Sequence, residues 1–286
     1  MSQVTSHSAR TRWAARLTAG LLAAPSYAAE AADRRTVRIA GLEIPFRATV
    51  ALLVTTMIVA LDWSRTFIPR EILDLNRAAE AMRFQAWVRV GLYGALPLAV
   101  VCGVFRDRPS RYGLRLGDWR PGLVLAAAGC AVMTPLALAI GGLPDFREYY
   151  APSAAPVGEL ALTHAIELFP AEFLFRGFLM FTLLRAIGPL GIVVAQVPFV
   201  FGHLSKPELE LLSTFFGGLA YGWLDWRTGS ILWSALAHTW ILTALIAALR
   251  RAGAKITETR AGLRVKASGR PKPVNIVTEP HPGFPT

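Results

Sequence analysis

Long apolar runs separated by short polar connectors dominate the middle of the chain. Seven such runs cover residues 46–62, 87–105, 121–142, 157–187, 189–204, 209–225 and 230–249. None of them alternates strictly between apolar and polar positions, as the strand of a membrane barrel would. A run of about 20 apolar residues crosses a bilayer as a helix, which satisfies its own backbone hydrogen bonds there. The pattern therefore predicts an all-α, polytopic membrane helix bundle with about seven transmembrane helices.

The composition agrees with this pattern. The 286 residues are 53% hydrophobic and 17% charged, whereas a soluble domain carries about 25% charged residues. The net charge is +11, but the basic residues lie mostly between the apolar runs and in the two tails. That distribution is typical of contacts with anionic lipid headgroups, not of nucleic-acid binding. We therefore expect a multi-pass protein of the cell membrane, with the lipid bilayer and no nucleic acid as a partner.

The two ends of the chain differ from the membrane domain at 45–250. Residues 1–44 are expected to form a basic tail or an interfacial segment. The stretch 10–29 loosely resembles a signal peptide, but Arg16 interrupts its apolar core, so we favour an interfacial helix. Residues 250–272 contain eight Lys or Arg and one Glu. This composition predicts a basic, disordered cytoplasmic tail at 251–286.

The basic residues give conflicting information about topology. Five arginines crowd the connector between the second and third runs: Arg106, Arg108, Arg111, Arg115 and Arg120. Both this connector and the C-terminal tail are predicted to be cytoplasmic. Seven simple crossings place them on opposite sides, so either one run does not cross or a segment re-enters. The short run 189–204 is the first candidate for that exception, and the orientation stays open.

Two opposite charges lie inside the apolar stretch LFPAEFLFRGFLM, namely Glu172 and Arg176. A charged side chain at the bilayer centre costs about 2.5–3.5 kcal/mol, so these residues must pair or line a wet cavity. Their spacing of four places them on one helix face, which predicts an ion pair. Glu167 lies on an adjacent face, and Pro170 between them predicts a kink.

Three histidines also lie in apolar runs: His164, His203 and His238. We interpret His164 as a hydrogen-bonded core residue. Imidazoles from different helices that meet a buried carboxylate can support general-base hydrolysis or bind zinc. Sequence spacing does not show whether these side chains meet. The residues alone therefore leave hydrolysis, transport and a structural role open.

The order of three motifs across residues 157–245 resembles the CPBP (CAAX protease and bacteriocin-processing, or Abi) family of intramembrane proteases. The motifs are EFLFRG, FVFGH and GGLAYGWLDWRTGSILWSALAH, and a eukaryotic relative is the type II CAAX prenyl endopeptidase. The family pattern EExxxRG, FxxxH and HxxxN falls on Glu172, Arg176, Gly177, Phe199, His203 and His238. Two positions depart from the pattern, because Ala171 replaces the first glutamate and Leu242 replaces the asparagine. The single-glutamate form with HLSKPELE resembles a bacterial branch of the family.

The resemblance implies an intramembrane endopeptidase of the bacterial cytoplasmic membrane, acting on a membrane-proximal protein segment or a lipid-anchored peptide. Glu172 would activate a water molecule, and Arg176 would hold Glu172 in place. His203 and His238 would bind a Zn²⁺ ion, the one cofactor implied, or stabilise the oxyanion. A second carboxylate is expected from Glu167 or Glu210.

The two departures from the family pattern leave two alternative functions open. One is a catalytically inactive CPBP-like protein that acts by binding a partner. The other is a proton-coupled transporter, because buried Glu, Arg and His also mark ion paths. The sequence shows no internal repeat that would favour the transporter, and it does not define the oligomeric state.

Overall fold

The structure is a computed structural model that describes residues 19–23, 35–72, 78–150, 155–251, 254–259 and 262–267. Its elements, in chain order, are β1 (Thr36–Ile39), β2 (Leu42–Pro45), α1 (Phe46–Trp63), α2 (Ala78–Arg89), α3 (Trp119–Ile140), α4 (Pro144–Tyr150), α5 (Val157–Glu172), α6 (Leu190–Phe201), α7 (Glu208–Thr228), α8 (Leu232–Arg251), β3 (Ala254–Thr259) and β4 (Gly262–Ala267). Two of these helices continue beyond the stated bounds. The α2 helix runs on through Val90–Ala95, Leu96–Ala99 and Val100–Val104, and α5 runs on through Phe173–Met180 and Phe181–Ile187.

The prediction of an all-α membrane helix bundle is confirmed. Each of the seven apolar runs corresponds to one helical segment, although α2 begins at Ala78 rather than at residue 87. The segments Phe46–Trp63, Ala79–Val104 and Trp119–Ile140 are long and apolar enough to cross a membrane. The segments Leu190–Phe201 and Leu232–Ala248 are apolar but shorter. The protein is therefore a multi-pass membrane protein.

The helix ends meet on two sides of the bundle. On the first, which we call the arginine side, connector 105–118 touches the ends of α5 and α7. There Arg185 Nη1 donates to the Arg111 carbonyl at 2.9 Å, and Asp118 N–H donates to the Thr228 carbonyl at 2.8 Å. On the second, which we call the cavity side, Lys206 Nζ contacts the Tyr150 hydroxyl at 2.8 Å. Connectors therefore alternate between two sides along the chain.

The α6 helix crosses the bundle, although residues 189–204 were the expected exception. It begins beside the end of α5 on the arginine side and ends just before Lys206 on the cavity side. The end of α8 also lies on the cavity side, because Gly141 after α3 packs against Leu245 and Ala248. The arginine-rich connector and the end of α8 thus lie on opposite sides. At most one of these two basic segments therefore lies on the cytoplasmic side, where basic segments are expected.

The core of the bundle surrounds the second half of α5. All eight residues of Phe173–Met180 are buried, whereas outer helices expose apolar side chains such as Val132 and Phe216, at 69% and 70%. Exposed apolar side chains of this size are tolerated where lipid replaces water. The arrangement places α5 at the centre and α3 at the lipid-facing periphery.

The segment Phe173–Met180 is a π-helix, where the sequence predicted a kink at Pro170. The helix continues through Pro170, and the wider turn follows it. The backbone N–H of Phe181 donates to the Arg176 carbonyl, five residues earlier. Such wide turns occur frequently at functional sites because they reorient side chains locally. Here the wide turn carries Arg176.

Two short hairpins lie at the ends of the described chain. In the first, β1 pairs antiparallel with β2, and both turn residues, Ala40 and Gly41, have positive φ. Two successive residues with positive φ form the turn that matches the twist of a two-stranded hairpin. The second pairs β3 with β4, inside the segment that the sequence predicts to be disordered. The β-branched residues Ile256, Thr257, Thr259 and Val265 favour strands there. Most of the signal-like stretch 10–29 lies outside the described residues.

Candidate active site

Glu172 and Arg176 form the buried ion pair that their spacing predicts. Arg176 Nη1 lies 3.2 Å from Glu172 Oε2 and donates a 3.4 Å hydrogen bond to Oε1. Their side chains are 0% and 1% exposed. A buried carboxylate of this kind is stable only when it is paired and hydrogen-bonded. Arg176 therefore makes an ionised Glu172 tolerable inside the bundle.

His238 is the second partner of Glu172. Its Nδ1 lies 2.7 Å from Glu172 Oε1, across 66 residues of sequence, and its side chain is 17% exposed. Because an ionised carboxylate only accepts hydrogen bonds, Nδ1 carries the hydrogen and Nε2 presents its lone pair. This contact joins α8 to α5. Sequence spacing does not reveal this partner of His238, because Glu172 lies on another helix.

Aromatic rings surround the Arg176 guanidinium. Its Cζ atom lies 3.7 Å from the Phe199 ring centroid and 5.9 Å from the Tyr221 centroid. Nε and Nη2 are buried and have no hydrogen-bond acceptor among the described residues. Stacking on ring faces stabilises a desolvated guanidinium. Arg176 is thus held between α6 and α7 and keeps two donors that the fold does not use.

His203 joins the site through Phe199. Its Nδ1 lies 2.8 Å from the Phe199 carbonyl, and the two rings are 4.6 Å apart. A carbonyl only accepts, so Nδ1 carries the hydrogen and Nε2 of the neutral ring keeps its lone pair. No hydrogen bond joins His203 to Glu172 or His238 among the described residues. The structure therefore brings both Arg176 and His238 into contact with Glu172. His203 contacts the Phe199 ring, on which Arg176 stacks.

The described side chains do not form a zinc site. A catalytic zinc needs three protein ligands, and no group of three His, Cys, Asp or Glu within the described ranges is placed to hold a metal ion. His238 directs Nδ1 at Glu172, and His203 directs Nδ1 at its own helix. Two Nε2 atoms alone do not fit the ion. Zinc binding by His203 and His238 stays a prediction, and the general-base chemistry of Glu172 is derived without a metal.

Neither Glu167 nor Glu210 contacts Glu172, although one of them was expected to provide a second carboxylate. Glu167 accepts a hydrogen bond from Arg89, which also pairs with Asp62 at 2.6 Å. Glu210 accepts a hydrogen bond from the Tyr150 hydroxyl at 2.6 Å. Both carboxylates therefore belong to networks on the cavity side. The partners of Arg89 lie on α1 and α5, so the sequence pattern does not reveal this network.

A buried carboxylate that the sequence analysis missed lies beside the site. Asp225 on α7 is 0% exposed, and Ser234 Oγ donates to its Oδ2 at 2.8 Å. Asp225 and Glu172 are near enough to interact electrostatically. An aspartate at the end of an apolar run is as costly to bury as Glu172. That cost is the signal available in the sequence, where Asp225 is the last residue of the predicted run 209–225.

A polar cavity opens next to the site on the cavity side. It has a volume of about 730 Å³ and is lined by residues that include Asp62, Arg89, Glu167, Lys206 and Leu242. Leu242, at the position of the missing asparagine, lies one helical turn after His238 on α8. The cavity also borders Gly202, which precedes His203. The cavity thus ends about one turn from the Glu172 cluster.

The fold and the cluster define a class: a polytopic helical membrane protein with a buried glutamate, arginine and histidine on adjacent helices. Residues 153–244 match the family described as "Type II CAAX prenyl endopeptidase Rce1-like". The match supports the assignment of residues 153–244 to the CAAX-protease (CPBP) family, as their motifs predicted. The match covers about a third of the chain. At family level it supports a membrane endopeptidase with a peptide substrate.

Short matches to curated proteins concern a different enzyme. The UDP-N-acetylglucosamine 1-carboxyvinyltransferase of Anaeromyxobacter sp. (strain K) is 56% identical over 43 residues, which are 15% of this chain and 10% of that protein. The same enzyme from Anaeromyxobacter sp. (strain Fw109-5) is 44% identical over 68 residues, 24% of this chain and 15% of that protein. The chain spans only these small shares of its curated relatives, so their activity does not transfer. No solved structure matches the chain.

Proposed function

We propose that the protein is an intramembrane endopeptidase of the bacterial cytoplasmic membrane in which Glu172 is the general base. The observation that carries the proposal is the contact of Glu172 with Arg176 and His238 inside the family match. A general base must be ionised and held in place by other groups. Arg176 provides the compensating charge, and His238 fixes the orientation of Oε1.

The proposed reaction uses one water molecule. Glu172 takes a proton from this water while the water oxygen attacks the carbonyl carbon of the scissile peptide bond. The carbonyl oxygen becomes an oxyanion, which donors facing it stabilise. The C–N bond then breaks, and Glu172 returns its proton to the leaving nitrogen. The products are a carboxylic acid and an amine, so the atoms balance.

We assign oxyanion stabilisation to His203 and His238, as the motif match suggests. In the neutral imidazoles of His203 and His238, Nδ1 carries the single hydrogen and Nε2 has none. Either ring must therefore take up a second proton before its Nε2 can donate a hydrogen bond to the oxyanion. Nε and Nη2 of Arg176 are further unused donors next to the same carboxylate. In this assignment the oxyanion forms between α5, α6 and α8.

We assign the cavity to substrate entry. It reaches from the cavity side to within about one turn of the cluster, and its lining combines Arg89, Lys206, Asp62 and Glu167. A lining with both charges accommodates the polar backbone of an extended peptide segment. The substrate is therefore a membrane-proximal segment of another protein or a lipid-anchored peptide.

The test is hydrolysis of a proteome-derived set of membrane-proximal peptides by purified protein in lipid. The wild type is expected to cleave a subset, and Glu172→Gln to lose at least about 100-fold in kcat, because general bases contribute about 10²–10⁴-fold. Glu159→Gln on the same helix is the matched control, because Glu159 is a partly exposed glutamate paired with Arg83.

Activity should survive chelation, since the described residues lack three ligands. Loss on chelation with recovery by Zn²⁺ would instead confirm the predicted binding of zinc.

A catalytically inactive protein that binds a partner is the second candidate. Ala171 and Leu242 favour it, because they replace two polar residues of the family pattern. It predicts that the wild type cleaves none of the peptides yet retains one of them, and that Glu172→Gln retains it equally well. Cleavage by wild type with loss in Glu172→Gln contradicts it.

A further inference from the structure

Gln196 is a buried polar side chain that the proposed reaction does not use. It lies in the middle of α6. Its amide nitrogen Nε2 donates to the Ile192 carbonyl at 3.1 Å and to the Gly218 carbonyl at 3.2 Å, so both amide hydrogens are used. Turning the amide over would place its oxygen against these two carbonyl oxygens. The two hydrogen bonds therefore fix the direction in which Oε1 of Gln196 points.

The amide oxygen of Gln196 and one nitrogen of Arg176 adjoin the same point of α7. A Cβ atom on Gly218 would overlap Gln196 Oε1 and would lie 3.1 Å from Arg176 Nη2. Within the described ranges, Oε1 is a buried acceptor without a donor and Nη2 is a buried donor without an acceptor. Buried polar atoms in native proteins are rarely left without a partner. The distance between the two atoms is at most that of two hydrogen bonds in sequence, which one bridging water spans.

The same face of α6 approaches Arg176 at two positions. Gln196 and Phe199 are three residues apart, so their side chains share a face. The Phe199 ring stacks on the guanidinium, with 3.7 Å between the ring centroid and Cζ. Stacking restrains the tilt of the guanidinium plane but lets the group turn within that plane. A polar group beside one of its nitrogens is therefore needed to fix its orientation, and Gln196 lies beside Nη2 while Glu172 lies beside Nη1.

A glycine on α7 makes this arrangement possible. Gly218 and Gly222 are four residues apart, and small residues at this spacing let membrane helices approach closely. Any larger residue at position 218 would occupy the place of the Gln196 amide oxygen. By contrast, a Cβ atom on the neighbouring Gly217 would meet no atom within 4 Å. The two glycines therefore offer a disruptive alanine substitution and a matched neutral one.

We infer that Gln196 is a positioning residue for Arg176. Its fixed amide oxygen takes the Nη2 hydrogen, directly or through one water molecule, so that Nη1 stays on Glu172 and Nε is left for the oxyanion. Gln196 acts through Arg176 and touches neither the substrate nor the reacting atoms. Its effect on catalysis rests on the proposed function, whereas its contact with Arg176 does not.

Gln196→Met tests the effect on catalysis, because methionine has a similar length and no amide oxygen. We expect kcat to fall by about 10-fold, the effect of one hydrogen bond to a charged group. KM should change little, because Gln196 lies outside the lining of the cavity. Unchanged kcat in a folded variant overturns the inference. A raised KM at unchanged kcat also overturns it, since Gln196 would then act in substrate binding.

Two glycine substitutions separate this contact from general packing. Gly218→Ala should lower kcat to a similar extent, because the new Cβ displaces Oε1 of Gln196, whereas Gly217→Ala should match wild type. Gln196→Ala removes the atoms that the new Cβ would meet first. Adding Gly218→Ala to Gln196→Ala should therefore cause no further loss of kcat. A double variant that is slower than Gln196→Ala contradicts the inference.

Thermal unfolding in a fixed detergent tests the contact without turnover. Gln196→Met should lower the midpoint by about 2–4 °C, as expected for the loss of one hydrogen bond in a chain of this size. In an Arg176→Lys background it should have no effect, because lysine keeps the charge but has one terminal nitrogen instead of two. Such non-additivity shows that two side chains interact.

The unfolding measurement also distinguishes a failure of this inference from a failure of the proposed function. Equal shifts of the midpoint in wild type and in Arg176→Lys overturn the inference, even when peptides are cleaved. If wild type cleaves no peptide, the proposed function fails. The comparison of midpoints still decides whether Gln196 contacts Arg176.

Discussion

At the scale of single residues, the site is a set of charges that depend on one another. Arg176 compensates Glu172 and is itself stabilised by the Phe199 ring. Removing one member of a buried ion pair leaves the other uncompensated, and this costs more than removing both. The sequence predicted this pair because a spacing of four defines one helix face. It did not predict the contact with His238, because 66 residues separate the two side chains.

The dependence of Glu172 on Arg176 predicts a difference in stability. Arg176→Met should lower the free energy of unfolding by about 3–5 kcal/mol, because a carboxylate remains buried alone. Adding Glu172→Gln to Arg176→Met should recover part of that loss. Thermal or denaturant unfolding in a fixed detergent measures both effects. If the double variant is less stable than Arg176→Met, the pair does not act as a unit.

At the scale of elements, the second half of α5 depends on close contacts around its wide turn. A Cβ atom on Gly177 would lie 2.7 Å from the Tyr112 carbonyl and 2.6 Å from the Phe173 ring. Glycine at this position therefore lets connector 105–118 approach α5. This contact joins the arginine side of the bundle to the helix that carries Glu172 and Arg176.

The close approach predicts opposite effects for two alanine substitutions in one helix. Gly177→Ala should destabilise the protein by about 1–3 kcal/mol, because overpacking forces backbone or side chains to move. Gly158→Ala in the first turn of α5 has no atom within 4 Å of the new Cβ and should stabilise by up to about 1 kcal/mol. Midpoints of thermal unfolding measured side by side test the contrast. Equal midpoints for the two variants would show that the Tyr112 contact is not restrictive.

The sequence predicts the helical segments but not the contacts between them. The length of the apolar runs located all seven helical segments, because the bilayer imposes both their length and their backbone hydrogen bonding. It missed the π-helix after Pro170, since an altered hydrogen-bond register leaves no mark in the pattern of apolar residues. It also missed the grouping of Asp62, Arg89 and Glu167, which depends on three helices meeting in space. Motif order identified Glu172 and His238, but their contact is a property of helix packing.

At the scale of the whole molecule, the alternation of connectors fixes which groups share a side. Connector 105–118 lies with the ends of α5 and α7, and the cavity lies with the ends of α6 and α8. A substrate segment that enters the cavity therefore approaches from the side opposite the arginine-rich connector. Arg108 is exposed on the arginine side and Glu148 is exposed on the cavity side. Labels at these two positions therefore distinguish the two sides.

Cysteine labelling tests this topology. In a background with Cys102→Ala and Cys130→Ala, we expect Arg108→Cys and Glu148→Cys to react with an impermeant maleimide from opposite sides. One variant should label in intact cells and the other only after permeabilisation. Labelling of both in intact cells would mean that α3 does not cross the membrane. Retained peptide cleavage by each variant would confirm that the substitutions leave the fold intact.

The brevity of α6 has a consequence for the lipid around it. Its 12 residues span about 18 Å, well short of the hydrocarbon thickness of about 30 Å. Where a helix is too short, the bilayer thins beside it and headgroups and water come closer to the midplane. His203 lies two residues after the last residue of this helix, Phe201. We therefore expect the bilayer to be thinner next to the site, which would bring water closer to the buried carboxylate of Glu172.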